Sequence, residues 1–334
     1  MVRTGVARAF DSRDPTPGSI AMLDGLRVLR REGAILFERG HSGSPTAARR
    51  RNWQRASIDT QLSLDTLHRV LGFGLLQARS LLESVGGDAH ACRDAIETAA
   101  WFNLGIVLFD ALLDNGGIGE RAIRHEFDDT LLLALATGAP DPFLHHPHGG
   151  VALFGSVAAD VFAGLRRLAP EAQSSIIPQL LRLFAAETQL SDQTIADDAN
   201  AQMWRMMRQK SVEPMRVVGD ILAGSSSGAV ASLHMPELVT IMGHLLWIID
   251  DALDAPEDWA RGHWSRPWWV AVRQRRVART MSIDHALWAL CDMNWIDRET
   301  IRLRRGLYRL QRRAPRHGDA LRHCAALTLA AWVA

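Results

Sequence analysis

With 38 basic and 37 acidic side chains in 334 residues, this chain has no net field to draw in a polyanion, so nucleic acid is not an implied partner. Hydrophobic residues make up 47% of it, enough for a large core in one domain or two. The N-terminal MVRTGVARAFDSRD is charged where a signal peptide is apolar, the apolar stretches around 104–109, 245–249 and 325–334 are too short to span a bilayer, and Cys92, Cys291 and Cys324 have neither disulfide nor metal spacing. A reduced, cytoplasmic protein without a membrane span is expected.

In chain order, residues 1–55 carry Pro and Gly punctuation around one short helix at 20–38 and read as an N-terminal extension. From 56 to 334 a single domain is expected, because helical periodicity dominates from LDTLHRVLGFGLLQARSLLESV onward. Two helical runs follow, ACRDAIETAAWFNLGIVLFDALLD and HEFDDTLLLALATG, and then the breakers GAPDPFLHHPHGG. Further helices are predicted near 151–168, 171–195, 199–223, 235–255, 266–279, 282–292 and 297–313. No run alternates with period two, so the fold class is all-α, a large helical bundle.

Two of these helices end alike. GIVLFDALLD (105–114) and LLWIIDDALD (245–254) each follow an apolar run with aspartates four residues apart, stacking Asp110 under Asp114 and Asp250 under Asp254. Like charges at that spacing repel. One such pair is usually a solvated face; two, each capping an apolar helix, suit carboxylates that share hard divalent cations with a diphosphate. Asp251 sits about 100° round its helix from that pair, which suggests an outer role. The acids at Asp128–Asp129 and Asp197–Asp198 lack that context and read as solvated or capping residues. The HHPHGG loop lacks the ordered spacing of a metal site. Lys210 is the single lysine in the chain, a compact point charge among arginines.

The stretch GHLLWIIDDALD resembles the second aspartate-rich motif of the trans-isoprenyl diphosphate synthases, and DALLD resembles the first with Ala111 replacing an acid. TQLSD is similar to that family's G-Q-x-x-D segment through Gln189 and Asp192, QKSVEP to its lysine segment through Lys210, and DWARGHWSRP to the segment after the second motif through Asp258, Gly262, Ser265 and Pro267. The resemblance covers roughly 100–270. It implies the isoprenoid (terpenoid) synthase fold around a deep apolar cavity, a homodimer, a prenyl diphosphate substrate and Mg2+, about three ions with bound diphosphate.

On that basis Asp110, Asp114, Asp250 and Asp254 are expected to hold metal and Lys210 to grip diphosphate, with Gln189, Asp192 and Asp251 around them. Helix positions below the aspartates, Phe102, Asn103, Ile106, Gly243, Leu246 and Trp247, are expected to line the cavity, with Gly105 leaving depth if it faces inward. Trp247 is a candidate to stabilise a carbocation by its π-face, and equally an ordinary core tryptophan. The second-substrate segments of chain-elongating members are missing: Arg121 and Arg124 are displaced and split, and the family's later lysine is His263. The asymmetry favours a class I terpene cyclase acting on a fifteen- or twenty-carbon diphosphate. The alternative is a prenyltransferase using isopentenyl diphosphate or another acceptor. A catalytically silent partner subunit is disfavoured, because such a chain has no reason to keep repelling acids. The basic run RLRRGLYRLQRRAPRHG either caps the diphosphate with one arginine or forms a solvated helix face.

Overall fold

The computed structural model describes all residues except 1–17, 40–45, 115–116, 140–141, 169, 192–199, 226–228 and 314–334. Among the described residues there are thirteen α-helices, one 3-10 turn at Pro142–His145 and no strand. The helices are α1 (Gly18–Arg39), α2 (Thr46–Asp59), α3 (Leu64–Ser84), α4 (Arg93–Asp114), α5 (Gly117–Glu126), α6 (Asp129–Thr137) and α7 (Gly149–Leu165). They continue as α8 (Pro170–Ser191), α9 (Ala201–Ala223), α10 (Ala229–Arg261), α11 (Arg266–Arg273), α12 (Ile283–Asp292) and α13 (Trp295–Arg313).

At the centre stands α4. It is buried on nearly every side from Ala95 to Phe102, and again at Leu104, Leu108, Phe109, Leu112 and Leu113, because its sequence is apolar all round. By length and composition it is the one described helix long and apolar enough to cross a membrane, a length the runs of consecutive apolar residues did not reveal; 72% of that window lies inside the protein. α3 and α7 pack on two of its sides, and α8, α9 and α10 complete the bundle. Asn103 Nδ2 donates to the Val70 carbonyl at 3.1 Å, tying α4 to α3.

The stretch expected to be an extension enters the bundle. α1 lies against α3 so closely that a Cβ at Gly33 would meet the His68 carbonyl oxygen at 1.9 Å, and one at Gly72 would meet that of Leu29 at 1.9 Å. α2 packs on α7, placing Trp53 and Ala56 in the core. The missing side chains at Gly33 and Gly72 allow this close approach, and Leu29, Leu36 and Phe37 on the same side of α1 are buried by it.

Polar residues around the loops act as caps. Asp128 accepts from the Leu131 N–H at 2.8 Å at the start of α6, and Asn200 accepts from the Met203 N–H at 2.8 Å at the start of α9. In the HHPHGG loop His148 caps α7, and Asp59 of α2 accepts from the first N–H groups of α7, at 2.5 Å from Gly149 and 3.3 Å from Gly150.

Candidate active site

The C-terminal ends of α4 and α10 reach the same end of the bundle, and between them lies a cavity of about 370 Å3. Its walls come from five helices: Thr66, Arg69 and Val70 of α3; Asn103, Ile106, Val107 and Asp110 of α4; Glu187 of α8; Lys210, Ser211 and Pro214 of α9; and Leu246, Trp247 and Asp250 of α10. At its mouth opens a more polar pocket of about 100 Å3, walled by Asp110, Asp114, Glu187, Lys210, Asp250, Asp251, Asp254, Asp258 and His263. Asp110, Glu187, Lys210, Ser211, Trp247 and Asp250 line both, so the two spaces are continuous. An apolar hollow thus opens under a ring of carboxylates.

The single lysine stands across this mouth. Lys210 Nζ lies 2.8 Å from Asp110 Oδ1 and 3.1 Å from Glu187 Oε2, with its side chain 35% exposed against 4% for Glu187. Burial works against the ammonium charge, but Asp110 and Glu187 outweigh it and hold Lys210 well above its usual range. Burial raises the Glu187 carboxyl to about 8, with Lys210 acting against that rise, so Asp110 supplies the stronger counter-charge. One turn beyond Lys210, Pro214 has no N–H to offer the Lys210 carbonyl.

The remaining acids crowd one another. Burial raises Asp114, and Asp110 adds to it; Arg261 stands 3.9 Å away. Asp254 is raised to about 6, by burial first and then by Asp258 and Glu257. Asp258 is raised to about 7, by burial first and with Asp250 adding to it. Asp251 is buried and turned toward α11: its Oδ2 accepts from the Arg266 backbone N–H at 2.9 Å, supplying the N-terminus of α11 with the cap that the Ser265 side chain does not make. Burial, with Asp250 and Asp258, pushes Asp251 well above the usual carboxylate range.

These carboxylates are hard oxygen donors with excess negative charge, the chemistry that divalent magnesium requires. Among the described residues no three His, Cys, Asp or Glu side chains form a closed metal cage. They ring a space instead, which fits an ion that takes one or two carboxylates and completes its shell with water and phosphate oxygens.

Behind the wall, Arg266 is buried with its guanidinium over the Trp247 ring at 4.6 Å and the Trp204 ring at 5.3 Å, paired with Glu299 of α13. Trp247 lines the cavity and Arg266 does not, so the cation meets the indole from behind. Its π-face already serves one positive charge, which weakens Trp247 as a carbocation stabiliser and favours its reading as a wall.

Of the expected lining residues, Asn103, Ile106, Leu246 and Trp247 face the main cavity. Phe102 and Gly105 instead face a separate, small apolar pocket of about 20 Å3, with Phe127, Phe154 and Phe184. Ile106 touches both spaces and partitions them. Gly243 lines neither of these spaces: a Cβ there would meet the Val212 Cα at 3.0 Å, so it serves the close crossing of α9 and α10. Gln189 is exposed on α8, and Glu187, two residues earlier, is the side chain that reaches Lys210. Asp192 lies outside the described residues. On α13, Gly306 packs against Ile241, more than two turns before Asp250 on α10, so the described arginine run follows the flank of the bundle instead of covering the mouth. Arg69 was not anticipated, because nothing in its sequence surroundings separates it from a solvated helix arginine.

No family model matches the sequence, and no curated protein matches it. Solved structures do. The geranylgeranyl pyrophosphate synthetase from the archaeon Geoglobus acetivorans superposes with a TM-score of 0.52 over 93% of this chain and 99% of its own, at 14% identity. The 2-methylisoborneol synthase from Streptomyces coelicolor A3(2) superposes with a TM-score of 0.50 over 96% of this chain and 91% of its own, at 12% identity. The chain has the isoprenoid synthase fold. A second structure of the Streptomyces enzyme, in complex with Mg2+ and 2-fluorogeranyl diphosphate, superposes at a TM-score of 0.50 and 12% identity. The all-α expectation and the resemblance read from the aspartate motifs therefore agree with the fold.

Proposed function

We propose that the chain is a magnesium-dependent class I terpene synthase that ionises a linear prenyl diphosphate of fifteen or twenty carbons and cyclises the resulting cation. The observation that carries this reading is the carboxylate ring with Lys210 at the mouth of an apolar cavity of about 370 Å3. In this reading Asp110, Asp114, Asp250 and Asp254 hold Mg2+. Bound there, the metal would neutralise charge developing on the departing diphosphate. Lys210, oriented by Asp110 and Glu187, donates hydrogen bonds to the same leaving group, which is where the negative charge grows in the transition state. Asp251 keeps α11 docked against the acidic turn. Val70, Ile106, Val107, Leu246 and Trp247 fold the prenyl chain and exclude water that would quench the cation.

One observation favours a second reading, prenyl transfer to an acceptor. Arg69 lines the cavity together with Thr66, and the one carboxylate near its Nε, Asp65 at 3.5 Å, is shared with Arg30 at 2.6 Å, so positive charge is left over there for a second anionic group to meet. Incubation with geranyl, farnesyl and geranylgeranyl diphosphates, with and without isopentenyl diphosphate, separates the two. Hydrocarbon and pyrophosphate from one substrate alone are expected. Product that forms only when isopentenyl diphosphate is present would replace the cyclase with the transferase.

A further inference from the structure

The charge of this chain balances overall but not along its length: between Arg266 and Arg313 twelve arginines face four acids. The imbalance concentrates on α13. Arg298, Arg302, Arg305, Arg309 and Arg312 recur at spacings of four, three, four and three residues, all exposed, while Glu299 and Leu303 on the other side of the helix are buried. The five form one outward row roughly 21 Å long. Neighbours in such a row repel one another. Arg302 is offset by Glu299 at 2.7 Å, and Arg312 stacks on Tyr308 with its guanidinium 5.9 Å from the ring centre.

Large apolar side chains stand exposed in the same part of the chain. On α13 Tyr308 is 61% exposed and Ile301 is exposed beside the row; on α12, which packs against α13, Trp288 is 71% exposed. We propose that this arginine row, flanked on α13 by Tyr308 and Ile301 and joined by Trp288 of the neighbouring α12, docks the protein onto an anionic lipid bilayer. Arginine heads pair with lipid phosphates, while tyrosine and tryptophan suit the boundary between headgroups and acyl chains. An exposed aliphatic Ile301 gains by insertion among lipids and offers neither a hydrogen bond nor a stacking face to bases, which favours a bilayer over nucleic acid. The apolar side of α13 is already spent on the bundle through Leu303 and through Gly306 against Ile241, so contact is at headgroup depth and does not embed the helix. The surface lies on the flank of the fold, and its assignment does not depend on the reaction at the mouth.

The test is co-sedimentation of the full chain with vesicles of phosphatidylcholine alone and with about one-third phosphatidylglycerol added. Binding to the anionic vesicles only is expected, weakening as salt shortens the Debye length from about 10 Å to about 3 Å. Each arginine near such a surface contributes roughly fivefold, so the pair Arg305→Glu and Arg309→Glu should weaken binding at least about thirtyfold. Trp288→Ser should weaken it less and leave the salt dependence unchanged. Far-UV circular dichroism and the melting temperature confirm that these exposed substitutions leave the fold intact. Equal binding to both vesicle types, no binding to either, or anionic binding indifferent to the charge reversal would overturn the proposal. So would binding to a mixed-sequence single-stranded RNA in the absence of vesicle binding.

Discussion

Removing the Glu299 carboxylate tests how the cavity wall is held. Arg266 and Glu299 are both nearly sealed from water, with side chains 6% and 5% exposed, and the guanidinium lies against the paired rings of Trp204 and Trp247. Burial lowers Arg266 from its ordinary range while Glu299 and Asp251 support its charge, and its Nε and Nη1 have no hydrogen-bond partner. Glu299→Ala therefore strands a buried cation, a change that costs about 3–5 kcal/mol. The two indole faces remain, each worth roughly 0.5–2 kcal/mol to a desolvated cation, so the low end of that range is expected. The second partner of Glu299, Arg302, is largely exposed and adds little. The paired change Arg266→Met with Glu299→Leu removes both charges and keeps the volume, so it should be close to neutral. Urea unfolding measures both variants, with an unchanged slope marking a true stability effect. A loss below about 1 kcal/mol in Glu299→Ala, or a double variant as unstable as the single one, would mean that the pair is not sealed as described.

Lys210→Met should lower turnover by about 100- to 1000-fold, the effect of losing one donor to a developing oxyanion, with far-UV circular dichroism showing that the fold is kept; pyrophosphate release reports the rate, and near-normal turnover would remove Lys210 from the mechanism. Ile106→Ala should join the main cavity to the small apolar pocket it borders and raise kcat/KM for geranylgeranyl relative to farnesyl diphosphate; an unchanged ratio would show that the partition is not Ile106. The pH dependence of the metal-free protein has a definite sign. Asp254 and Asp258, raised to about 6 and about 7, hold protons in the folded state that they release when unfolded, so their contribution is complete below about pH 4 and is lost as pH rises through 6 and 7. The melting temperature of metal-free protein should fall from pH 5 to pH 8, Mg2+ should restore more of it at the upper end, and Asp258→Asn should flatten the curve. A melting temperature that rises over that range without metal would contradict the crowding of these acids.

The parts of the site that were legible in the sequence share one property: their meaning is local. Asp110 with Asp114 and Asp250 with Asp254 announce themselves by a spacing that an isolated helix disfavours, and Lys210 by being the only residue of its type. The parts that were not legible depend on which face of a helix meets which neighbour. Glu187 and Gln189 lie two residues apart on α8, and a shift of about 200° between them decides which one reaches Lys210. Gly243 falls on the helix positions below the acids, yet its missing side chain is used against Val212 instead of the cavity. Arg266 follows a serine and precedes a proline, and nothing in SRP foretells two indoles and a distant glutamate. The acidic mouth is written as repulsion, which sequence records. The wall behind it is written as packing and as a single buried ion pair, which only the folded chain records. This division also explains how the acidic end can be kept while the cavity is reshaped: the two are encoded in residues that constrain each other little, except at the turn where Asp251 of the acidic helix holds the N-terminus of α11.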